Sequence, residues 1–180
     1  MKTLVIHPND SSTNFLKPIY SSLSREDTTI ITGGVSAEDV LQLVKDHERI
    51  IMMGHGSPRG LFGINFNDSF VIDRNHVEAL SYKKQNIYIW CNADQFVNNY
   101  HLSGFYSGMF ISEMYEAEFC DVQNVVQEDV DVSNTYFAEE LGKLIKKDVV
   151  DIYYSLTKLY KKLAITNAVA DYNCRRLGVS

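Results

Sequence analysis

Short, almost unbroken apolar runs alternate along this chain with longer stretches whose apolar residues recur every three or four positions. The runs at 4–7, 28–32, 49–53 and 86–91 are rich in Ile, Val, Met and aromatics, and each closes on glycine, a turn former or a polar residue. Continuous short runs of this kind predict strands buried on both faces. A fifth strand is expected at 119–126. Between them, the spacing predicts helices over 15–23, over a stretch capped by Ser36 that carries Val40, Leu41 and Val44 on one face, and over 73–81 and 103–117. Three more helices are expected at 135–147, 148–164 and 167–177. The segment 54–63, dense in turn formers, runs into a short hairpin ending near Ile72, and 127–133 reads as an acidic loop.

Strands alternating with helices imply an α/β fold: a three-layer sandwich with a mostly parallel central sheet and helices on both faces, here as one domain over 1–180. In such sheets chemistry gathers at the carboxyl ends of the strands. His7 and Asp10 follow the first strand, His55 the third, and Cys91 the fourth.

Composition narrows the function classes. Apolar residues make up 45% of 180 and the net charge is −6, which suits a globular chain and argues against nucleic acid as the main partner. The late lysines (Lys143, Lys146, Lys147, Lys158, Lys161, Lys162) fall at helical spacing and read as solvated faces. No run approaches the roughly 18 apolar residues of a membrane helix, and the N-terminus lacks the longer apolar stretch of a signal peptide. Three widely spaced cysteines without a CxxC give neither a disulfide framework nor a structural zinc, so a reducing cytoplasm is expected. The glycines of 54–63 match no phosphate loop, and no cofactor or metal is expected.

The chemistry rests on Cys91 and His55. A thiol is a nucleophile only as thiolate, and a neighbouring imidazole can take its proton and later protonate a leaving amine. Gly56 frees a backbone N–H for close approach to a substrate carbonyl, and the Cys91 N–H would be the second oxyanion donor. No acid is evidently placed to orient the imidazole, a task left to a backbone carbonyl. Cys120 and Cys174 read as packing residues, and Glu113 and Glu116 as a solvated helix face.

GlyHisGlySerProArgGlyLeuPheGly (54–63) and IleTyrIleTrpCysAsnAla (87–93) together resemble the caspase-like clan of cysteine peptidases, which contains caspases, gingipains, clostripain, separase and the bacterial CHAT-domain proteases. There a His-Gly segment leads into a hairpin, and the next apolar strand ends in the nucleophilic cysteine. The resemblance implies a peptidase acting on a peptide or protein substrate, with His55 as general acid/base, Cys91 as nucleophile, and Gly56 and Cys91 as oxyanion donors. It places the loop after the first strand in the substrate pocket, hence Asp10, Ser11 and Ser12, together with Trp90 and Asp94. The acids Asp10 and Asp94 favour a basic P1 side chain. Two positions depart from the pattern: Trp90 stands where these families have a small residue, and His55 and Cys91 are only 36 positions apart. Activation by a protein partner is one expectation. An inactive caspase-like scaffold and a ligand-binding module using loops 9–14 and 54–60 remain the alternatives.

Overall fold

The computed structural model describes every residue except Asn67. Its core is a six-stranded sheet in the order β2-β1-β3-β7-β8-β9. β1 (Thr3–Ile6), β2 (Thr28–Ile31), β3 (Arg49–Met53), β7 (Ile87–Ile89) and β8 (Phe105–Ser107) run parallel, and β9 (Leu177–Val179) closes the edge antiparallel to β8. A second, small antiparallel sheet joins β4 (Gly56–Ser57), β5 (Gly60–Phe62) and β6 (Phe70–Ile72). The chain is therefore an α/β protein with a mixed, mostly parallel main sheet, as its alternating pattern predicts.

Strand alternation sorts side chains to two cores. On one face Val5, Ile51, Met53, Ile87, Ile89 and Phe105 pack against α6 (Gln127–Leu144), α7 (Val149–Leu163) and α8 (Ala168–Cys174). On the other, Leu4, Ile6, Ile50, Met52, Tyr88 and Trp90 meet α2 (Ala37–Asp46), α3 (Val77–Ser81) and α4 (Ala93–Asn99). Strands with no polar face need cover on both sides, and helices provide it. No helix among the described residues is long and apolar enough to cross a membrane.

Several segments differ from the sequence expectation: a 3-10 turn (Ser11–Leu16) and the short α1 (Pro18–Ser21) stand where one helix over 15–23 is expected, and α4 has no counterpart in the sequence reading. Residues 103–117 are not one helix: they form β8, a loop, and the short α5 (Met114–Phe119). Gly104 explains part of this, since it sits at φ +145° and a Cβ there would lie 2.3 Å from the Asn86 carbonyl oxygen. Residues 119–126 are not a strand. Asp121 and Asn124 adopt left-handed backbone, which breaks extended structure, and Phe119 and Val126 are exposed. The acidic stretch 127–133 opens α6, where Glu128 and Asp129 lie in the first turn and favour the positive end of the helix. Finally, the last helix stops at Cys174, and 177–179 turn back as β9.

Arg49 ties the sheet to α6. Its side chain is buried, and it donates to the carbonyls of Gln85 (3.1 Å), Ile145 (2.6 Å) and Lys147 (3.2 Å). Burial lowers the guanidinium to about 10, so it stays charged at neutral pH against the negative end of α6. Arg49→Met removes the donors while keeping most of the packing and strands these carbonyls. We expect it to cost about 2–4 kcal/mol, read as a lower urea midpoint at unchanged slope.

Candidate active site

The parallel pairing of β3 with β7 sets the site. Met53 is in register with Ile89, and the Gly54 N–H continues the ladder to the Ile89 carbonyl at 3.0 Å. Two residues further on, His55 and Cys91 stand level at the carboxyl ends of neighbouring strands.

Each is presented by its own turn. After His55 the chain enters the β4–β5 hairpin, and the Phe62 N–H donates to the His55 carbonyl (2.9 Å). Antiparallel pairs alternate, so the adjacent Gly56–Leu61 pair is the non-hydrogen-bonded one and the Gly56 N–H points away from β5. Gly56 must be glycine: a Cβ would lie 2.3 Å from Trp90 Cδ1. Trp90 is buried in the second core and donates through Nε1 to the Ser57 carbonyl (3.0 Å), clamping the hairpin to the end of β7. The indole therefore supports the His-Gly segment from beneath. After Cys91, Asn92 takes a left-handed conformation (φ 66°) that turns the chain sharply into α4. Among the described residues, the Cys91 N–H has no acceptor. Two undonated backbone N–H groups, of Gly56 and Cys91, are thus available to an oxyanion.

The loop after β1 reaches His55. The Ser12 hydroxyl donates to Asp10 Oδ1 (2.8 Å), as does the Ser12 N–H (2.9 Å), and the hydroxyl oxygen lies 2.7 Å from His55 Nε2. Since the hydroxyl proton goes to the carboxylate, Ser12 accepts from His55, which puts the imidazole proton on Nε2 and leaves Nδ1 as the basic nitrogen. Asp10 Oδ2 is itself 4.0 Å from Nε2. The two bonds from Ser12, backbone first, hold the Asp10 carboxyl below its ordinary range. Orientation of the imidazole is therefore done by an acid acting through a serine, where the sequence suggested a backbone carbonyl. His7 braces the same loop: it is buried, with Nδ1 2.9 Å from the Tyr20 hydroxyl and Nε2 3.1 Å from Thr13 Oγ1.

On the thiol side the surroundings oppose ionisation. Cys91 Sγ lies 3.6 Å from the Phe110 carbonyl and 3.8 Å from Glu116 Oε1, and no hydrogen bond joins it to His55. Burial pushes the thiol up to about 11, with the Glu116 carboxylate adding to the shift. Glu116 is buried at 4% exposure, not on a solvated face. Its Oε2 accepts from Ser112 N–H (2.7 Å), Ser112 hydroxyl (2.9 Å) and Glu113 N–H (3.0 Å) at the start of α5. The cap here is Glu113 with Glu116 at the third helical position, not the Ser/Thr-x-x-Glu pattern that marks a helix start in sequence, and an expected helix from 103 places it mid-helix.

Cys91 and His55 line a shared crevice of about 450 Å³ with Gly56, Tyr115 and Glu116 on its walls. A narrower pocket beneath it, about 20 Å³ and roughly the size of one water, is also walled by both residues together with Thr13, Trp90 and Ser112. Not every expected substrate-binding residue meets them. Ser12 and Asp10 contact His55, and Trp90 lies under Gly56. Ser11 is exposed at the start of a 3-10 turn and lines neither crevice. Asp94 lies against Gly108 and borders neither crevice, because its position on α4 turns it away from the thiol. Among the described residues, no three His, Cys, Asp or Glu side chains converge as a metal site.

No family model, curated protein or solved structure matches this chain. The functional reading therefore stands on its geometry.

His7 gives the site a pH limit. Burial lowers its imidazole from 6.5 to about 4, with Lys17 adding to the shift, so the unfolded chain binds a proton that the folded one does not. This stability is complete above about pH 6.5 and is lost as pH falls toward about 4, amounting to roughly 3 kcal/mol. Urea midpoints taken across that window should fall in the wild type and fall distinctly less in His7→Gln.

Proposed function

We propose that this chain is a cysteine peptidase of the caspase-like type, cutting peptide bonds with Cys91 as nucleophile and His55 as general acid/base. The observation that carries the reading is the pairing of these residues at the ends of adjacent parallel strands, in one crevice, with the imidazole held from its far side by Ser12 and Asp10. The antiparallel hairpin after His55 agrees with the resemblance, and its tight turn at Pro58–Arg59 accounts for part of the short spacing to Cys91.

In this mechanism His55 Nδ1 takes the thiol proton as sulfur attacks the scissile carbonyl. The Gly56 and Cys91 N–H groups receive the oxyanion, and the imidazolium then protonates the leaving amine. Asp10 and Ser12 are positioning residues: they fix the tautomer and stabilise the imidazolium when it forms. The thiol is protonated at rest, so proton transfer accompanies attack on the substrate carbonyl.

A second reading, an inactive relative that binds without cleaving, is favoured by one observation: Cys91 hydrogen-bonds toward Phe110 and Glu116, not His55, and its thiol is held up.

Peptide hydrolysis separates the two. The peptidase reading expects cleavage that is abolished in Cys91→Ala and falls about 10²–10⁴-fold in His55→Ala. Ser12→Ala removes both hydroxyl bonds, to Asp10 and from His55, and Asp10→Asn removes the negative charge behind them; each should lower kcat about tenfold or more with little change in KM. Turnover that survives Cys91→Ala would overturn Cys91 as the nucleophile, and the absence of any cleavage across peptide libraries would favour the binding module.

A further inference from the structure

Glu116 is an unexpected occupant of a nucleophile's crevice. A buried carboxylate needs partners: Oε2 takes three donors from Ser112 and Glu113, while among the described residues Oε1 has only the Cys91 thiol at 3.8 Å. A thiol is a weak donor, so this oxygen is under-satisfied. It also belongs to the wall of the 450 Å³ crevice, whose other walls are largely apolar: Phe62, Ile64, Met109, Tyr115 and Phe119. Phe119 and Tyr115 are exposed at its mouth.

A largely apolar crevice with one under-satisfied carboxylate in its wall complements one kind of group: a cation carried on an aliphatic stem, as in Arg, Lys or a polyamine. The aromatic rings at the mouth add a favourable face for the same charge. Resting on the peptidase reading, we infer that Glu116 is a charge lock on Cys91, opened when a cationic side chain of the substrate enters the crevice and takes over the free carboxylate oxygen.

The lock works by electrostatics. While Glu116 faces the thiol unneutralised, a thiolate 3.8 Å away is repelled and the proton stays on sulfur. A guanidinium or ammonium on Oε1 cancels that repulsion and places a positive charge beside the sulfur. The S–H bond then breaks with the electron pair left on sulfur. Its proton goes to solvent buffer when nothing is being cut and to His55 Nδ1 during turnover. The other titratable groups near the sulfur are His55 from the end of β3, and Tyr115 and Cys120 from α5 and its C-terminal cap. Of these and Glu116, Glu116 is the only carboxylate, its Oε2 held by three donors. A reactive thiolate would thus be exposed only when a matching substrate is bound, which protects a nucleophile from adventitious alkylation and oxidation.

The test follows the ultraviolet thiolate absorbance of the intact chain against pH, with Cys91 isolated as the difference from Cys91→Ala. Agmatine, which carries a guanidinium and an ammonium on an aliphatic stem, is the probe, with ionic strength matched by NaCl. Agmatine should lower the Cys91 midpoint in the wild type and speed its alkylation by iodoacetamide at neutral pH, about tenfold for each unit the midpoint falls. Glu116→Gln should show a lowered midpoint without ligand and no further response to agmatine. The lock is overturned if agmatine leaves the wild-type midpoint where it was, or if Glu116→Gln leaves it unchanged or raises it. The wild-type arm stands even where the variant fails to fold. A thiol that unlocks while no peptide is cut would overturn the peptidase reading and leave the lock in place.

Discussion

The site depends on one constraint, the parallel register of β3 against β7. Side chains alternate along a strand, so a slip of one residue would send Cys91 to the face where Trp90 now packs and put the indole in its place. That register is pinned from both sides. Ile51, Met53, Ile87 and Ile89 lie in one core and Met52, Tyr88 and Trp90 in the other, so a slip would exchange the two sets and strand the Tyr88 hydroxyl, which accepts from Asn86. The positions that matter chemically are the first ones past this locked ladder, where the backbone is released but its starting point is fixed to within a residue.

Beyond the ladder, placement passes from packing to a few polar contacts, and Trp90 shows how the two are joined. Its ring belongs to the core, yet its Nε1 holds the Ser57 carbonyl and its Cδ1 occupies the space a Gly56 side chain would need. A small residue before the cysteine would free the hairpin. The bulky one costs conformational choice at Gly56 but holds the His-Gly segment at a set height over β7. Trp90 is in this sense a departure from the caspase-like pattern with a structural reason, and it does not seal the thiol: Cys91, next along the chain, projects to the opposite side toward Phe110 and Glu116.

Much of this was legible in the sequence because strand cores leave a strong signal. The runs at 49–53 and 86–91 have no reading other than buried strands, and the residues that end them follow at once. What escaped was local. Gly104 and Gly108 bracket an aromatic Phe-Tyr-Ser that pairs as β8, but flanked by apolar residues at mixed spacing it also fits an amphipathic helix. Taking it for a helix moved the true start of α5 out of sight and, with it, the cap that buries Glu116. Ser12 and Asp10 were visible as polar loop residues facing the right end of the sheet. Their bond to His55 depends on how a 3-10 turn braced by His7 and Thr13 bends back over β3, and no pattern of residue types encodes that bend.

Two carboxylates therefore flank Cys91 and His55, and each accepts from a serine of its own loop: Asp10 from Ser12, two residues on, and Glu116 through Oε2 from Ser112, four residues back. The symmetry is chemical only, for the two acids push in opposite directions. Asp10, behind the imidazole, favours the protonated ring and so favours taking a proton from sulfur. Glu116, in front of the thiol, disfavours the thiolate that this transfer would leave. With no cation in the crevice, burial and the Glu116 carboxylate both favour keeping the proton on sulfur. On the proposed peptidase reading, the change that would tip the pair comes from the crevice side, where Glu116 meets the thiol and which Asp10 does not line. Burial and the Glu116 carboxylate together oppose ionisation, and a positive charge cancels the carboxylate's share while leaving the imidazole clamp untouched.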